Sequence, residues 1–137
     1  MMATKITVTT TLNVPVEKAW NYYTNPDHIT QWNFASDDWQ CPKAENDLRV
    51  GGTYSARMEA KDGSFGFDFV VTYDKVIPHQ ELSYTMGDGR QATTTFEASE
   101  NKTIVTTTFD PESQNPIAMQ QQGWQMILNN YKKYTES

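Results

Sequence analysis

The sequence predicts an α+β fold in which a curved antiparallel sheet of about six strands wraps around a long C-terminal helix, with two short helices after the first strand. Three observations predict it. Apolar residues alternate with threonines near the N-terminus, alternating stretches separated by turn residues run from 53 to 110, and 116–134 has the apolar spacing of a helix. Sequential hairpins give a sheet with one apolar face that a single helix can cover. We expect residues 1–137 to form one domain.

The first strand and the two short helices precede the main run of strands. The stretch KITVTTTLNV alternates as a half-buried strand does. PVEKAWNYYTNP follows as a helix, because Pro15 suits a first helical turn and the final Asn-Pro closes the segment. DHITQWNF predicts a second short helix. The next stretch, ASDDWQCPKAENDLRVGG, has no period and is interpreted as a loop that ends in a tight turn.

The strands between 53 and 110 include one that is apolar on both faces. They are TYSARMEA, FGFDFVVTYDKVI, ELSYTM, RQATTTFEA and TIVTTTFD. In the second of these, alternation places Phe69 and Tyr73 on one face and Asp68 on the other. A bulge would exchange the faces, so both orientations stay open. If Asp68 points inward, it is a candidate acid or hydrogen-bond acceptor.

The predicted C-terminal helix carries an amide and a glycine on its apolar side. At ~100° per residue, Trp124, Ile127 and Tyr131 share one face, and Gln120 projects from the middle of it. Gln120 is either a polar anchor inside an apolar cavity or a side chain near the helix start that reaches solvent or caps a turn. Gly123 either lets the helix approach the sheet or leaves volume for a ligand.

Composition argues against several classes of function. The net charge of −6, without a cluster of Lys or Arg, argues against nucleic acid and anionic membranes as partners. No apolar run reaches the ~18 residues of a membrane span. The single cysteine, Cys41, excludes an internal disulfide and suits a reducing compartment, so we expect a cytoplasmic protein.

Motifs for catalysis or metal binding are not visible in the sequence. His28 and His79 have no suitably spaced partner, and Cys41 has no second thiol, so we expect neither a metal nor a cofactor. No phosphate loop, nucleophile elbow or paired acid motif occurs. A cyclase could still work by shaping its substrate with one or two polar groups.

Six stretches in a specific order carry a resemblance to a known family. They are PVEKAW followed by PDHITQW, then VGGTY, FDFVVTYDKVIPHQELSYTMGDGR, TFEASENKTIVTTTFD and QQQGWQMILNNYKKY. Together they resemble the heat-shock-protein-90 ATPase activator homologue family, which belongs to the START and birch-pollen-allergen superfamily of helix-grip proteins. The resemblance implies a deep, mostly apolar cavity between the sheet and the C-terminal helix. It also implies ligands such as lipids, sterols, polyketides or other aromatic compounds, and for some members cyclase or hydroxylase-subunit activity.

We therefore expect a binding module, a carrier or sensor, for a hydrophobic aromatic or lipid-like compound. The expected cavity residues are Trp32, Phe34, Trp39, Tyr54, Asp68, Phe69, Tyr73, Gln120 and Trp124. The alternatives are a cyclase or hydrolase that uses the same cavity, and a stress-linked chaperone helper suggested by the family name. The expected partners are a small molecule and, for the last alternative, a chaperone, with the chain a monomer or weak homodimer.

Overall fold

Residues 4–137, which a computed structural model describes, form seven strands and three helices. The strands are β1 (Ile6–Leu12), β2 (Trp39–Asn46), β3 (Thr53–Ala60), β4 (Gly66–Ile77), β5 (Glu81–Met86), β6 (Gln91–Ser99) and β7 (Lys102–Phe109). The helices are α1 (Val16–Thr24), α2 (Pro26–Ile29) and α3 (Ile117–Glu136). The predicted fold class is confirmed, and the sheet has seven strands where the sequence predicts about six.

All seven strands belong to one antiparallel sheet in the order β1-β7-β6-β5-β4-β3-β2. The strands β2 to β7 follow one another as hairpins. The first strand, β1, pairs with the last strand, β7, in a register that places Val8 opposite Thr107. Two of the tight turns need glycine, since Gly63 and Gly89 have φ angles of +79° and +91°. The sheet is therefore a meander with one long-range pairing.

Strand β2 lies where the sequence predicts a loop. Its pairing with β3 shifts between Gln40 and Lys43, and Pro42 lies inside this irregularity. The bulge breaks the alternation of apolar and polar residues, and an edge strand needs only one partner. The prediction of a loop at this position is wrong for that reason.

The two faces of β4 differ in burial. Val71 and Tyr73 are buried on the face toward α3, and Asp68 and Val70 are exposed on the opposite face. The pairing with β5 shifts between Tyr73 and Lys75, so a bulge does occur. It follows Tyr73 and therefore leaves the inward alternation of the preceding residues intact.

Helix α3 packs lengthwise along β1 and under the concave face. Leu128, Tyr131 and Thr135 are buried, and the Tyr131 hydroxyl donates a hydrogen bond to the carbonyl of Ala19 in α1. The apolar core continues between α1 and the sheet, where Trp20 lies edge-on to Phe96 at 5.2 Å between ring centroids. This core fills one end of the space between sheet and helices and leaves the other end for the site.

Candidate ligand-binding cavity

A cavity of about 300 Å³ lies between α3 and the concave face of β3 to β5. Its wall is mainly apolar: Val8, Trp32, Met58, Phe67, Phe69, Val71, Leu82, Trp124, Ile127 and Leu128. Its polar wall residues are Tyr23, Asn33, Tyr54, Tyr73, Tyr84, Arg90, Thr107, Glu112, Asn115 and Gln120. An apolar wall with a few polar groups is the usual composition of a small-molecule site.

Aromatic side chains in the walls of the cavity pack against one another. Phe69 lies edge-to-face with both Tyr54 and Tyr84, at centroid distances of 6.2 and 6.4 Å. Trp124 stacks on Phe109 at 3.7 Å with an interplanar angle of 13°. These contacts fix the rings in the wall, because each ring is already packed against a neighbour of its own.

The phenol groups of the cavity differ in their hydrogen bonding. The Tyr73 hydroxyl donates to Asn46 Oδ1 at 2.9 Å, and the Tyr54 oxygen accepts from Asn33 Nδ2 at 3.2 Å. Burial raises the pKa of Tyr54, Tyr73 and Tyr84 above the ordinary tyrosine value. The three groups are therefore neutral phenols at physiological pH and act as hydrogen-bond donors and acceptors, not as anions.

The cavity opens toward the end of the sheet where α3 begins. Phe67 near the β3–β4 turn is 40% exposed, and Arg90 lies in the β5–β6 turn. Arg90 Nε donates to Asp88 Oδ2 at 2.7 Å, and Glu112 and Asn115 lie in the segment that leads into α3. The opening is thus formed by two turns and one irregular segment, with charges of both signs.

Gln120 connects α3 to the opening. Its Nε2 donates to the carbonyls of Glu112 at 3.0 Å and Asn115 at 2.8 Å, and its Oε1 accepts from the amide of Glu112 at 2.9 Å. The side chain is only 9% exposed. Of the two readings of Gln120, the structure supports the cap of a turn near the helix start, because backbone groups of 112–115 use the amide.

Gly123 has free space where a side chain would be. A Cβ atom built on it would meet no atom within 4 Å. Its neighbours on the helix surface, Gln120 and Ile127, both line the cavity. Gly123 therefore does not serve a close approach of helix to sheet, and the reading that it leaves volume at the cavity fits the geometry.

Six of the nine predicted cavity residues line the cavity: Trp32, Tyr54, Phe69, Tyr73, Gln120 and Trp124. Asp68 does not, because it lies on the outer face of β4, where its side chain is 64% exposed and contacts Arg57 at 3.5 Å. The reading of Asp68 as an inward acid is wrong.

Phe34 and Trp39 also lie outside the cavity. Phe34 borders a shallow groove on the outside of α3 with Met126 and Asn130, because the chain turns outward after Asn33. Trp39 packs against Phe65 and Phe67 with centroid distances of 6.0 and 6.3 Å. Phe67 thus lies between Trp39 and the cavity, and of the expected residues Trp32, Phe34 and Trp39 only Trp32 lines it.

The sequence reasoning missed Tyr23, Asn33 and Tyr84. The alternation in ELSYTM contained the signal for Tyr84, since Leu82, Tyr84 and Met86 share its apolar face and are all buried. Asn33 had no such signal. It is buried because the chain after α2 passes under the sheet and brings its amide to Tyr54.

Among residues 4–137, the titratable groups outside the cavity that were candidates for chemistry do not form a pair of nucleophile and base. Cys41 is buried, and burial raises the pKa of its thiol, which favours the unreactive protonated form. His28 Nδ1 lies 2.8 Å from the Tyr134 hydroxyl, and His79 packs against Trp20. Within residues 4–137, no group of three or more His, Cys, Asp or Glu side chains is arranged to hold a metal ion.

The chain is similar to known proteins along nearly its whole length. A family model described as "Activator of Hsp90 ATPase homolog 1-like protein" matches residues 13–136. None of the curated proteins matches the sequence. In the part of the chain that the structure describes, no helix has the length and apolar character needed to cross a membrane.

Two solved structures share both sequence and fold with the chain. The AHSA1-like protein from Aeromonas hydrophila is 41% identical, with a TM-score of 0.91 over 97% of this chain and 92% of that one. Chr148 from Cytophaga hutchinsonii is 47% identical, with a TM-score of 0.84 over 96% and 92% of the two chains. A protein from Chromobacterium violaceum, CV1439, at 21% identity and a TM-score of 0.85 over 97% of each chain, shares the fold.

Proposed function

Because the chain belongs to the family of Activator of Hsp90 ATPase homolog 1-like proteins, we propose that it binds a hydrophobic small molecule between the sheet and α3. In this proposal the protein is a carrier or sensor and does not transform the compound. The ligand is aromatic or lipid-like, and the residues in contact with it include Trp32, Tyr54, Phe69, Tyr73 and Trp124.

The observation that carries the proposal is an unfilled, mainly apolar cavity of about 300 Å³ inside a small protein. Protein interiors are normally packed to the density of organic crystals, so an unfilled space of this size removes favourable contacts from its walls. A bound apolar compound restores those contacts. The polar groups of its wall can fix the orientation of such a compound.

The test compares two adjacent valines on opposite faces of β4. Val71→Phe adds a ring to the cavity wall, and Val70→Phe adds the same ring to the outer face. The probe is N-phenyl-1-naphthylamine, an uncharged compound whose fluorescence rises in apolar surroundings. We expect Val71→Phe to weaken binding at least about tenfold, which corresponds to about 1.4 kcal/mol, and Val70→Phe to bind like the wild type.

Circular dichroism and melting curves show whether both variants are folded. Failure of the folded wild type to bind the probe and a panel of lipids and polycyclic aromatics would refute the proposal. Equal binding by the wild type and both variants would show that the probe sits elsewhere. Consumption of a bound compound over time would instead support the cyclase or hydrolase alternative.

The family description favours a second candidate, the role of a chaperone helper. Exposed apolar side chains near the opening, namely Phe65, Phe67 and Met119, are compatible with a protein partner. The measurement is the ATPase rate of the Hsp90-type chaperone from the same organism with and without this protein. Stimulation in the absence of any small molecule would favour this candidate.

We also propose that residues 1–137 work as one domain in a reducing compartment such as the cytoplasm. The family model spans most of the chain, and the single cysteine is buried. Size-exclusion chromatography with light scattering tests the expectation of a monomer or weak homodimer.

A further inference from the structure

We propose that the compound bound in the cavity carries a neutral acceptor oxygen, such as that of a ketone, ester or ether, which receives hydrogen bonds from the hydroxyls of Tyr84 and Tyr54. This inference rests on the proposed function, because it names the chemical class of the ligand for the same cavity. It concerns the buried part of the cavity, away from the charged groups at the opening.

The hydroxyl of Tyr84 is the first observation. The side chain is 8% exposed and lines the cavity. Its ring packs edge-to-face against Phe69 and Tyr73, yet its hydroxyl has no hydrogen-bond partner among residues 4–137. Tyr131, by contrast, donates to the Ala19 carbonyl, and Tyr73 donates to Asn46. The Tyr84 hydroxyl is not among the fully enclosed unpartnered atoms of residues 4–137, so it is accessible from the cavity. A donor that is open to a mainly apolar cavity can be satisfied by an acceptor atom of a bound compound.

The hydroxyl of Tyr54 is the second observation. Its hydrogen bonding indicates that the ligand group which meets it is an acceptor. Its oxygen already accepts from Asn33 Nδ2, while its own hydrogen has no acceptor within residues 4–137. Asn33 is 7% exposed, which keeps this arrangement in place. The O–H of Tyr54 is therefore free to donate a hydrogen bond, and the ligand group that receives it must be an acceptor.

The charges of the residues that line the cavity favour a neutral acceptor. The cation among the cavity residues is Arg90, which lies at the opening and is already paired with Asp88. A carboxylate placed at the two phenols would lose its hydration without gaining a cation, which is unfavourable in an apolar site. The phenols themselves stay neutral, since burial raises the pKa of both. A neutral acceptor oxygen on the ligand therefore suits the neutral hydroxyls of Tyr84 and Tyr54.

The experiment uses two compounds of nearly the same shape. In 2-acetylnaphthalene a carbonyl oxygen stands where 2-isopropenylnaphthalene has a CH₂ group. Dissociation constants of both are measured for the wild type, Tyr84→Phe and Tyr54→Phe. Tyr22→Phe is the matched control, because Tyr22 lies outside the cavity and stacks on His28.

We expect the wild type to prefer the ketone and Tyr84→Phe to lose about fivefold to tenfold of the affinity for it, the usual effect of one hydrogen bond. Tyr54→Phe should also reduce the preference, and Tyr22→Phe should preserve it. The alkene should bind all four proteins alike. A ketone-to-alkene ratio that is near one in the wild type, or unchanged in both cavity variants, overturns this inference alone. Failure of both compounds to bind the wild type overturns the proposed function and the inference with it.

Discussion

The Gln120 amide satisfies three backbone groups of the segment that leads into α3. These groups are the carbonyls of Glu112 and Asn115 and the amide of Glu112. A helix start leaves backbone groups without partners, and the segment 110–116 has no regular structure of its own to satisfy them. One buried side chain therefore holds together a stretch of chain that borders the cavity.

Replacing Gln120 with leucine should destabilise the protein by about 1–3 kcal/mol, because the three backbone groups lose their partner. Gln122→Leu is the matched control, since Gln122 is exposed on the same helix. Urea unfolding of the two variants measures the difference. Equal stabilities would show that water replaces the amide without cost.

Gly123 offers the opposite change, a gain in stability. A methyl group there meets no atom, and alanine is the better helix former, so Gly123→Ala should stabilise by about 0.5–1 kcal/mol. Gly63→Ala is the contrast, because φ at Gly63 is +79° and a side chain there is strained. Melting curves should move in opposite directions for the two variants. A loss of stability in Gly123→Ala would mean that the helix must approach another group at this position.

At the scale of elements, α3 covers the free edge of β1. Gln121 and Gln125 donate to the carbonyls of Thr7 and Thr9, and Lys132 donates to the carbonyl of Thr11. The Thr9 amide also points at Gln125 Oε1, at 3.4 Å. An exposed edge strand can pair with other chains, and here side chains of a helix occupy the groups that such pairing would use.

Gln125→Ala should expose part of this edge. We expect a stability loss of about 0.5–1.5 kcal/mol from the lost hydrogen bonds and faster hydrogen exchange of the Thr9 amide. Gln122→Ala serves as the control, because Gln122 is exposed on the same helix and its side chain makes none of these hydrogen bonds to β1. Exchange measured by NMR that is unchanged at Thr9 would show that the helix backbone alone shields the strand.

Several elements follow from the sequence, and one does not. Periodicity predicts β1, α3 and the hairpin strands because each has one buried face. It misses β2, where Pro42 and a bulge interrupt the alternation, and it leaves the faces of β4 open because apolar residues occur on both. Val70 is apolar yet 44% exposed, so polarity alone could not assign the face.

For the molecule as a whole, the buried phenols set the response to alkaline pH. Burial raises the pKa of Tyr23, Tyr54, Tyr73, Tyr84 and Tyr131. Above the ordinary tyrosine pKa of about 10 the unfolded chain loses these protons while the folded protein keeps them. The stabilisation is therefore complete below about pH 10 and is lost as pH rises further, by up to about 1.4 kcal/mol per pH unit for each phenol.

Urea unfolding at a series of pH values from about 8 to 11.5 checks this expectation. Tyrosinate absorption of the buried phenols should appear together with unfolding. A free energy of unfolding that stays flat through this range would mean that the phenols are accessible to water in the folded state.

The cavity is harder to predict than the fold because its residues come from many separate segments. Aromatic content and fold class suggest a cavity, and alternation places Phe69 and Tyr73 on one face of their strand, which the structure shows to be the cavity side. The role of Gln120 depends on a segment without periodicity, and Asn33 depends on how the chain turns after α2. Hydrogen bonds between irregular segments leave no repeating pattern in a sequence.

The cover that α3 forms over β1 has a consequence for how fast a ligand can leave. Side chains along most of the helix hold it against the sheet edge, so we expect it to act as a fixed wall during ligand exchange. The way out then leads past the segment 110–116, which Gln120 ties to the helix. The residence time of a bound compound should therefore be shorter in Gln120→Leu than in the wild type, even where the affinity changes little. Stopped-flow displacement of the naphthylamine probe measures this time. An unchanged dissociation rate would place the exit elsewhere.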